Sequence, residues 1–349
     1  MTKSRRIDIS IKYNNKDISN DLKPYILSLS YNDVISGQAD DVQITLEDKN
    51  DIWKSDWFPD KGATLSISLI SNAWDNLNDI SKTFSIGLFE IDEIDCKGYP
   101  QTIDIKAISV PDNNTLRGVE RTKSWEKTEL KVIAKEKADN ANMELYWDTD
   151  INPILDRTEQ TQQSDLSFLL QLCNDQGLAL KICNNQIIIF DEEKYEQAEA
   201  HITIIKPNTT YQAKENMTYI KCLNYDFRSK IRDIYASCHV KYQQSKTNQV
   251  IETTFTVPNK KGKTLEVKEQ VENLAEAERL AKKRLREKNK EETTGNLNMI
   301  GNFNLVAGSV VNVLGFGVFD GKYIITNAKH DVSNGYNTSI DIRRCLDGY

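Results

Sequence analysis

The sequence is poor in the features that mark redox, metal or secreted chemistry. Its six cysteines (96, 173, 183, 222, 238 and 345) are scattered, and no two form a C-x-x-C pair. That spacing suits neither a zinc site nor a disulfide framework, so reduced and mostly buried thiols are expected. No apolar run approaches the roughly 20 residues that a membrane span requires, so no membrane anchor is expected. The N-terminal MTKSRRIDISIKYNNK has positive charge without an apolar stretch behind it, and no secretory signal is expected. Basic residues are not in excess. The net charge of −7 leaves no broad cationic footprint for neutralising phosphates, so direct sequence-specific nucleic-acid binding is not expected. Neither G-x-S-x-G nor H-E-x-x-H occurs, and His201, His239 and His330 have no metal-type ligand at a useful spacing. A carboxylate pair assembled by the fold stays open. No catalytic residue stands out, and neither an enzyme nor a cofactor is expected.

What is present describes a globular protein of two or three domains: 349 residues, 39% hydrophobic and 28% charged. Apolar residues alternate at Ile7/Ile9/Ile11, Leu27/Leu29/Tyr31, Val42/Ile44/Leu46, Leu65/Ile67/Leu69, Phe84/Ile86/Leu88 and Ile103/Ile105/Ala107. Period-2 runs divided by Asn, Asp, Gly and Pro predict half-buried antiparallel strands. The phase slips after Leu88, which predicts a bulge. The spacing then turns helical, at Leu130/Ile133/Ala134/Ala141 with Thr128 as N-cap, and at Leu166/Leu169/Leu170/Cys173 between a Ser164 cap and a Gly177 stop. LALKIC and QIIIFD, joined by Asn184-Asn185, predict a hairpin. Beyond residue 200 the pattern is β again, interrupted by a helix whose acidic first half and basic second half suit the helix dipole. The fold class expected is α+β, mainly β. It comprises an N-terminal β-barrel over 1–110, a small α+β domain over 111–200, and a C-terminal β-barrel over 201–349 with an inserted helix at 267–288.

Four segments invite a chemical reading. Asp148, Asp150, Asn152, Asp156 and Glu159 fall at calcium-loop spacing, but Pro153 stands where that loop needs glycine. A solvated acidic loop is expected. The glycines of 315–321 are followed by a strand, whereas phosphate binding needs a helix N-terminus. The basic tip PNKKGK (258–263) reads as solvated, or as a contact for an acidic partner. Trp53, Trp57 and Phe58, in DIWKSDWFPDKG, suit packing on their own domain, a protein interface, or a sugar-stacking platform.

Several segments taken in order resemble the late control protein D family of phages with contractile tails. That family is related to baseplate hubs and to the hub part of type VI secretion spike proteins. KDISNDLKPYILSLSYND, ADDVQITLED and WFPDKGATLSISL are similar to its opening strands, and GLFEIDEID with QTIDIKAISV to the next pair. QTQQSDLSFLLQLCNDQGLALKICNNQIIIFD resembles its central helix and hairpin. EAERLAKKRLREKNK and AGSVVNVLGFGVFDGKYIITNAKHDVSNGYNTSIDIRR resemble the closing helix and strands. The resemblance implies a structural hub: a homotrimer with two similar barrels per subunit, placing six barrels against a six-fold tail tube or tube-initiator protein and a trimeric spike. Partners implied are a central spike protein, expected as a separate chain, and other baseplate proteins. Assembly in the bacterial cytoplasm and release by lysis, in a virion or a tail-like bacteriocin, follow from the same resemblance. A tail-associated cell-wall hydrolase and a carbohydrate-binding module are the alternatives.

Overall fold

The computed structural model describes residues 5–49, 51–55, 57–74, 80–110, 115–243, 249–271 and 273–349. The chain is mainly β, with 50% strand and 18% helix. It divides into two compact units. The first comprises Met1–Glu192, Met299–Ala307 and Thr326–Ile340, and the second Glu193–Asn298, Gly308–Ile325 and Asp341–Tyr349.

The first unit opens with β1 (Arg6–Tyr13), β2 (Lys16–Asp17), β3 (Ile26–Val34), β4 (Asp41–Glu47), β5 (Thr64–Asn72), β6 (Lys82–Lys97) and β7 (Thr102–Ile108). They run antiparallel in the order β3-β4-β7-β6-β5-β1-β2. Alternation sends Ile11, Leu29, Ile44, Leu46, Ile67, Leu69 and Ile103 into one barrel-like core. The bend predicted after Leu88 is made by two bulges on β6 that flank it. Ile67 faces Gly87 while Ser68 faces Ser85, and Ile91 faces Ala107 while Glu93 faces Lys106. Ile86 and Asp92 are the extra residues, and each sharpens the local twist. The first bulge turns Leu88 outward. A third, between Ile26 and Ser28, does the same to Leu27, so neither follows the alternation read from sequence.

The rest of this unit holds β8 (Glu120–Glu129), a helix Leu130–Asn140, β9 (Glu144–Asp148), β10 (Ile154–Ser164), a helix Asp165–Gln176, β11 (Ala179–Cys183) and β12 (Gln186–Phe190). β8 and β10 form an antiparallel ribbon, and β11, β12 and β9 a three-stranded sheet. Ser164 Oγ accepts the Ser167 N–H at 3.2 Å, and Gly177 closes the helix at φ +75°. Asn184 and Asn185 take φ of +49° and +60°, as a tight hairpin turn requires. Thr128 is not an N-cap. It lies in β8, and the first N–H groups of the helix are met instead by Pro153 O and Asn152 Oδ1, both at 3.0 Å. The calcium-loop spacing is broken too, because Asp148 ends β9 while Asp156 and Glu159 sit on β10.

The second unit contains β13 (Ile202–Ile205), β14 (Thr218–Ser229), β15 (Tyr235–Gln243), β16 (Val250–Thr256), β17 (Lys263–Val267), a helix Leu274–Asn289 and β19 (Val310–Leu314), while β18 (Thr293–Ile300), β20 (Gly321–Val332) and β21 (Tyr336–Arg344) run through the unit boundaries at residues 298/299, 325/326 and 340/341. The hydrogen-bonded order β19-β13-β14-β18-β21-β20 closes on itself, because β19 also pairs with the first residues of β20. Closure leaves this six-stranded barrel without an edge, the usual answer to exposed backbone donors. β15, β16 and β17 form a separate sheet, inserted in the chain between β14 and β18. The long helix packs Ala277, Ala281 and Leu285 on that sheet around Cys238, Val240 and Val267. The helix predicted at 267–288 therefore starts later. Val267 ends β17, and Asn273 caps the helix by accepting the Glu276 N–H at 2.9 Å. Its basic half is used: Arg286 bonds the buried Glu196 at 2.8 Å, and Arg343 of β21 bonds the same carboxylate at 2.7 Å.

Two buried polar groups in the first unit yield measurable consequences. Lys137 is 1% exposed and donates to Gln160 Oε1 and Asp165 Oδ1, each at 2.7 Å. His330 is fully buried, stacked on Tyr31 and Tyr336. Its Nε2 meets Leu305 O at 3.0 Å, and a carbonyl can only accept, so Nε2 carries the proton and Nδ1 accepts from the Tyr336 hydroxyl at 2.7 Å. Burial pulls its pKa down to about 4, against the weaker opposing pull of Asp33.

Lys137→Ala is expected to destabilise the protein by about 3 kcal/mol in denaturant titration, because it leaves the buried Asp165 carboxylate with only the Gln160 amide at 2.9 Å and the more distant Arg121 at 3.7 Å. Lys137→Met with Asp165→Leu should recover most of that loss. For His330, the folded pKa of about 4 lies below the ordinary 6.5, so the unfolded chain binds more protons between those values. The stability of the native protein relative to His330→Gln should therefore fall as pH drops from 6.5 to 4 and level off below. A pH-independent difference in melting temperature would contradict this.

Candidate interface site

The loop after β4 carries the tryptophans singled out from sequence. Asp51, at φ +54°, turns the chain into a short 3-10 turn, Ile52–Lys54. Trp53 is 3% exposed, its Nε1 donates to Glu47 O at 3.1 Å, and its ring meets Tyr25 edge-on at 5.6 Å. Those contacts place Trp53 in the core and not on a surface. Trp57 and Phe58 stay 45% and 47% exposed, with Trp57 held edge-on against both Trp53 and Tyr25. The Trp53 and Trp57 planes cross at 79°, whereas a sugar platform needs exposed coplanar rings. Of the three candidates, Trp57 and Phe58 form the presented surface and Trp53 is its support.

A second aromatic surface was not singled out from sequence. On the closed barrel, Tyr225 and Phe227 lie two apart on β14 and meet Phe316 at 4.9 and 5.1 Å, while Phe319 stacks on Phe227 at 5.0 Å. Lys206 reaches the Tyr225 ring at 5.6 Å. Tyr225 is 44% exposed, and nearby Leu223 and Val318 are 58% and 85% exposed. The available signal was the two-residue spacing of Tyr225 and Phe227. The glycines of 315–321 serve this surface, since a short 3-10 turn over Gly317–Phe319 sets Phe319 before β20 begins. No phosphate-binding helix follows them.

Two buried carboxylates, Asp33 and Asp40, are brought together around Lys181. Lys181 Nζ lies 2.5 Å from Asp33 and 2.9 Å from Asp40, and donates to Val34 O at 2.6 Å. Burial raises the Asp40 pKa to about 6 against the pull of Lys181, and Asp33 adds to the rise. Burial also works against the charged Lys181, but the two aspartates outweigh it and raise its pKa. One ammonium shared by two buried carboxylates makes a structural clasp of the β11–β12 hairpin. Among the described residues no group of three or more His, Cys, Asp or Glu could hold a metal ion, and no helix is long and apolar enough to cross a membrane. His239 pairs with Glu252 and Glu266 at 3.0 and 2.7 Å, while His201 precedes β13 at the surface.

Residues 184–343 match the YQBQ-like family. The probable baseplate hub protein of Escherichia phage P2 is 27% identical over 171 residues, which are 49% of this chain and 41% of that protein. The match thus spans less than half of the phage protein's length. The 43 kDa tail protein of prophage MuSo2 from Shewanella oneidensis superposes with a TM-score of 0.72 at 12% identity, over 97% of this chain and 98% of that one. An Escherichia coli protein described as a component of the type VI secretion system, with structural similarity to T4 phage tail proteins, gives a TM-score of 0.56 at 11% identity, over 93% and 75%. At those identities the two superpositions speak for the fold. In sequence across just under half of its length and in fold across nearly all of it, the chain resembles phage baseplate hub and tail proteins, as its own segments indicate.

Proposed function

We propose that this chain is a structural hub of a contractile phage tail or tail-like bacteriocin. Three copies form a ring that joins the tail tube, or a tube-initiator protein, to the central spike. The observation that carries this reading is the end-to-end fold likeness to a prophage tail protein, combined with sequence similarity to a phage baseplate hub protein. One closed barrel and one barrel-like run of strands per chain support it, since three chains then supply six such units. Within this reading the chain works as three parts, 1–110, 111–200 and 201–349, and is not an enzyme. Trp57 and Phe58 belong to an interface with a neighbouring baseplate subunit. Assembly takes place in the bacterial cytoplasm, and the particle leaves by lysis.

Light scattering of the purified chain, alone and with its cognate spike protein, should give a trimer or a 3:3 complex. A chain that stays monomeric with every tail partner would sink the proposal. Trp57→Ala with Phe58→Ala should lower the melting temperature by only several degrees and leave the chain folded, because about half of each ring is already exposed. The same pair should weaken incorporation into baseplates by about tenfold or more, as loss of aromatic anchors does.

A further inference from the structure

Two segments of opposite charge are left over once the cores are accounted for. At one end of the second unit, three loops meet. Lys230 N donates to Glu292 O at 2.8 Å, and the Lys260 ammonium also pairs with Glu292. Lys230 pairs with Glu291 at 2.5 Å. Arg228, Arg232, Lys261 and Lys263 are exposed there without an ion pair among the described residues. Ile231 stands at the tip, 93% exposed. In a chain of net charge −7 this is a local excess of positive charge around an apolar side chain.

In the first unit, the acidic stretch after β9 makes the converse arrangement. Ile154 is 64% exposed at the start of β10, directly opposite Glu129 on β8. Asn152 Nδ2 bonds Glu129 Oε2 at 2.8 Å, which draws the preceding loop to the same end. Glu126, Glu129, Asp150 and Asp156 are all exposed there. Of the nearby cations, Arg157 is already paired with Glu159, Lys131 lies over the Trp147 ring, and Lys127 is exposed.

We infer that copies of this chain join head to tail through these two segments: Ile231 and its basic loops on one copy against Ile154 and its acidic surroundings on the next. The inference rests on the homotrimer reading and assigns the contact within it. An apolar anchor rimmed by charge is what an interface centre needs, and opposite rims select the partner and its register. A contact between two different surfaces is heterologous and can close into a ring, which a self-complementary patch cannot do beyond a dimer. Asp233, Glu291 and Glu292, interleaved with the basic residues, oppose a phosphate backbone and favour a protein surface as the occupant.

The test is sedimentation of the chain, with the spike protein present if the ring needs it, at low and high ionic strength. Association should weaken as salt rises. R232E/K261E/K263E and E126K/D150K/D156K should each weaken it by about tenfold or more, and a chain carrying both sets should regain it. Ile231→Asp tests the same contact with a single exposed change. Circular dichroism checks that each variant is folded. Trimers unchanged by either reversal, or reversals that the combined chain does not rescue, would overturn this contact while leaving the hub reading intact. Absence of any trimer would overturn both. Binding of a short DNA duplex that is lost with the basic reversal, without change in the protein's mass, would reassign the basic loops to phosphate.

Discussion

The constraint on which the structure depends is that every strand must find a hydrogen-bonding neighbour. In the C-terminal barrel the ladder closes: β19 pairs with β13 on one side and β20 on the other, so the barrel has no free edge. Closure sets what else the chain can do. The stretch between β14 and β18 is not needed for the ring, and it builds its own sheet under the long helix. In the first unit the bulges on β6 supply the bend that a flat ladder would lack.

Buried charges then fix the smaller pieces. Lys181 between Asp33 and Asp40, Lys137 on Asp165, and Glu196 between Arg286 and Arg343 each tie segments distant in sequence. Such pairs add little net stability over an apolar replacement, but losing one partner costs several kcal/mol. Their effect is therefore on which arrangement forms more than on how stable it is. Within the proposed hub reading such rigidity would hold partly exposed aromatic groups, at Trp57/Phe58 and at Tyr225/Phe316, in fixed positions.

Much of the fold was legible in the sequence because alternation is a local signal. The six strands read in the first 110 residues all form, as do the hairpin at Asn184-Asn185 and the helix between Ser164 and Gly177. What was missed depends on partners far along the chain. β17 went unread, its last residue Val267 being taken into the helix, since KTLEV alternates over too few residues to reveal a strand whose partner is β15. β18 went unread because TTGNLNMI is polar and takes its place from its barrel neighbours. Leu27 and Leu88 were misplaced by bulges, which shift register without changing composition. The interface candidate was half legible. Trp53 and Trp57 stand in one turn, but only tertiary contact with Tyr25 separates the buried ring from the exposed one. The aromatic surface on the barrel joins β14 to the turn before β20, a pairing that no local pattern carries.

The central claim is that two barrel-type units per chain become six in a ring. Electron microscopy of the purified assembly with its spike protein, averaged without imposed symmetry, tests it most directly. The account predicts a three-fold ring with six barrel-sized densities around a central channel. A two-fold particle, or a ring whose three-fold repeat holds a single barrel density, would contradict it.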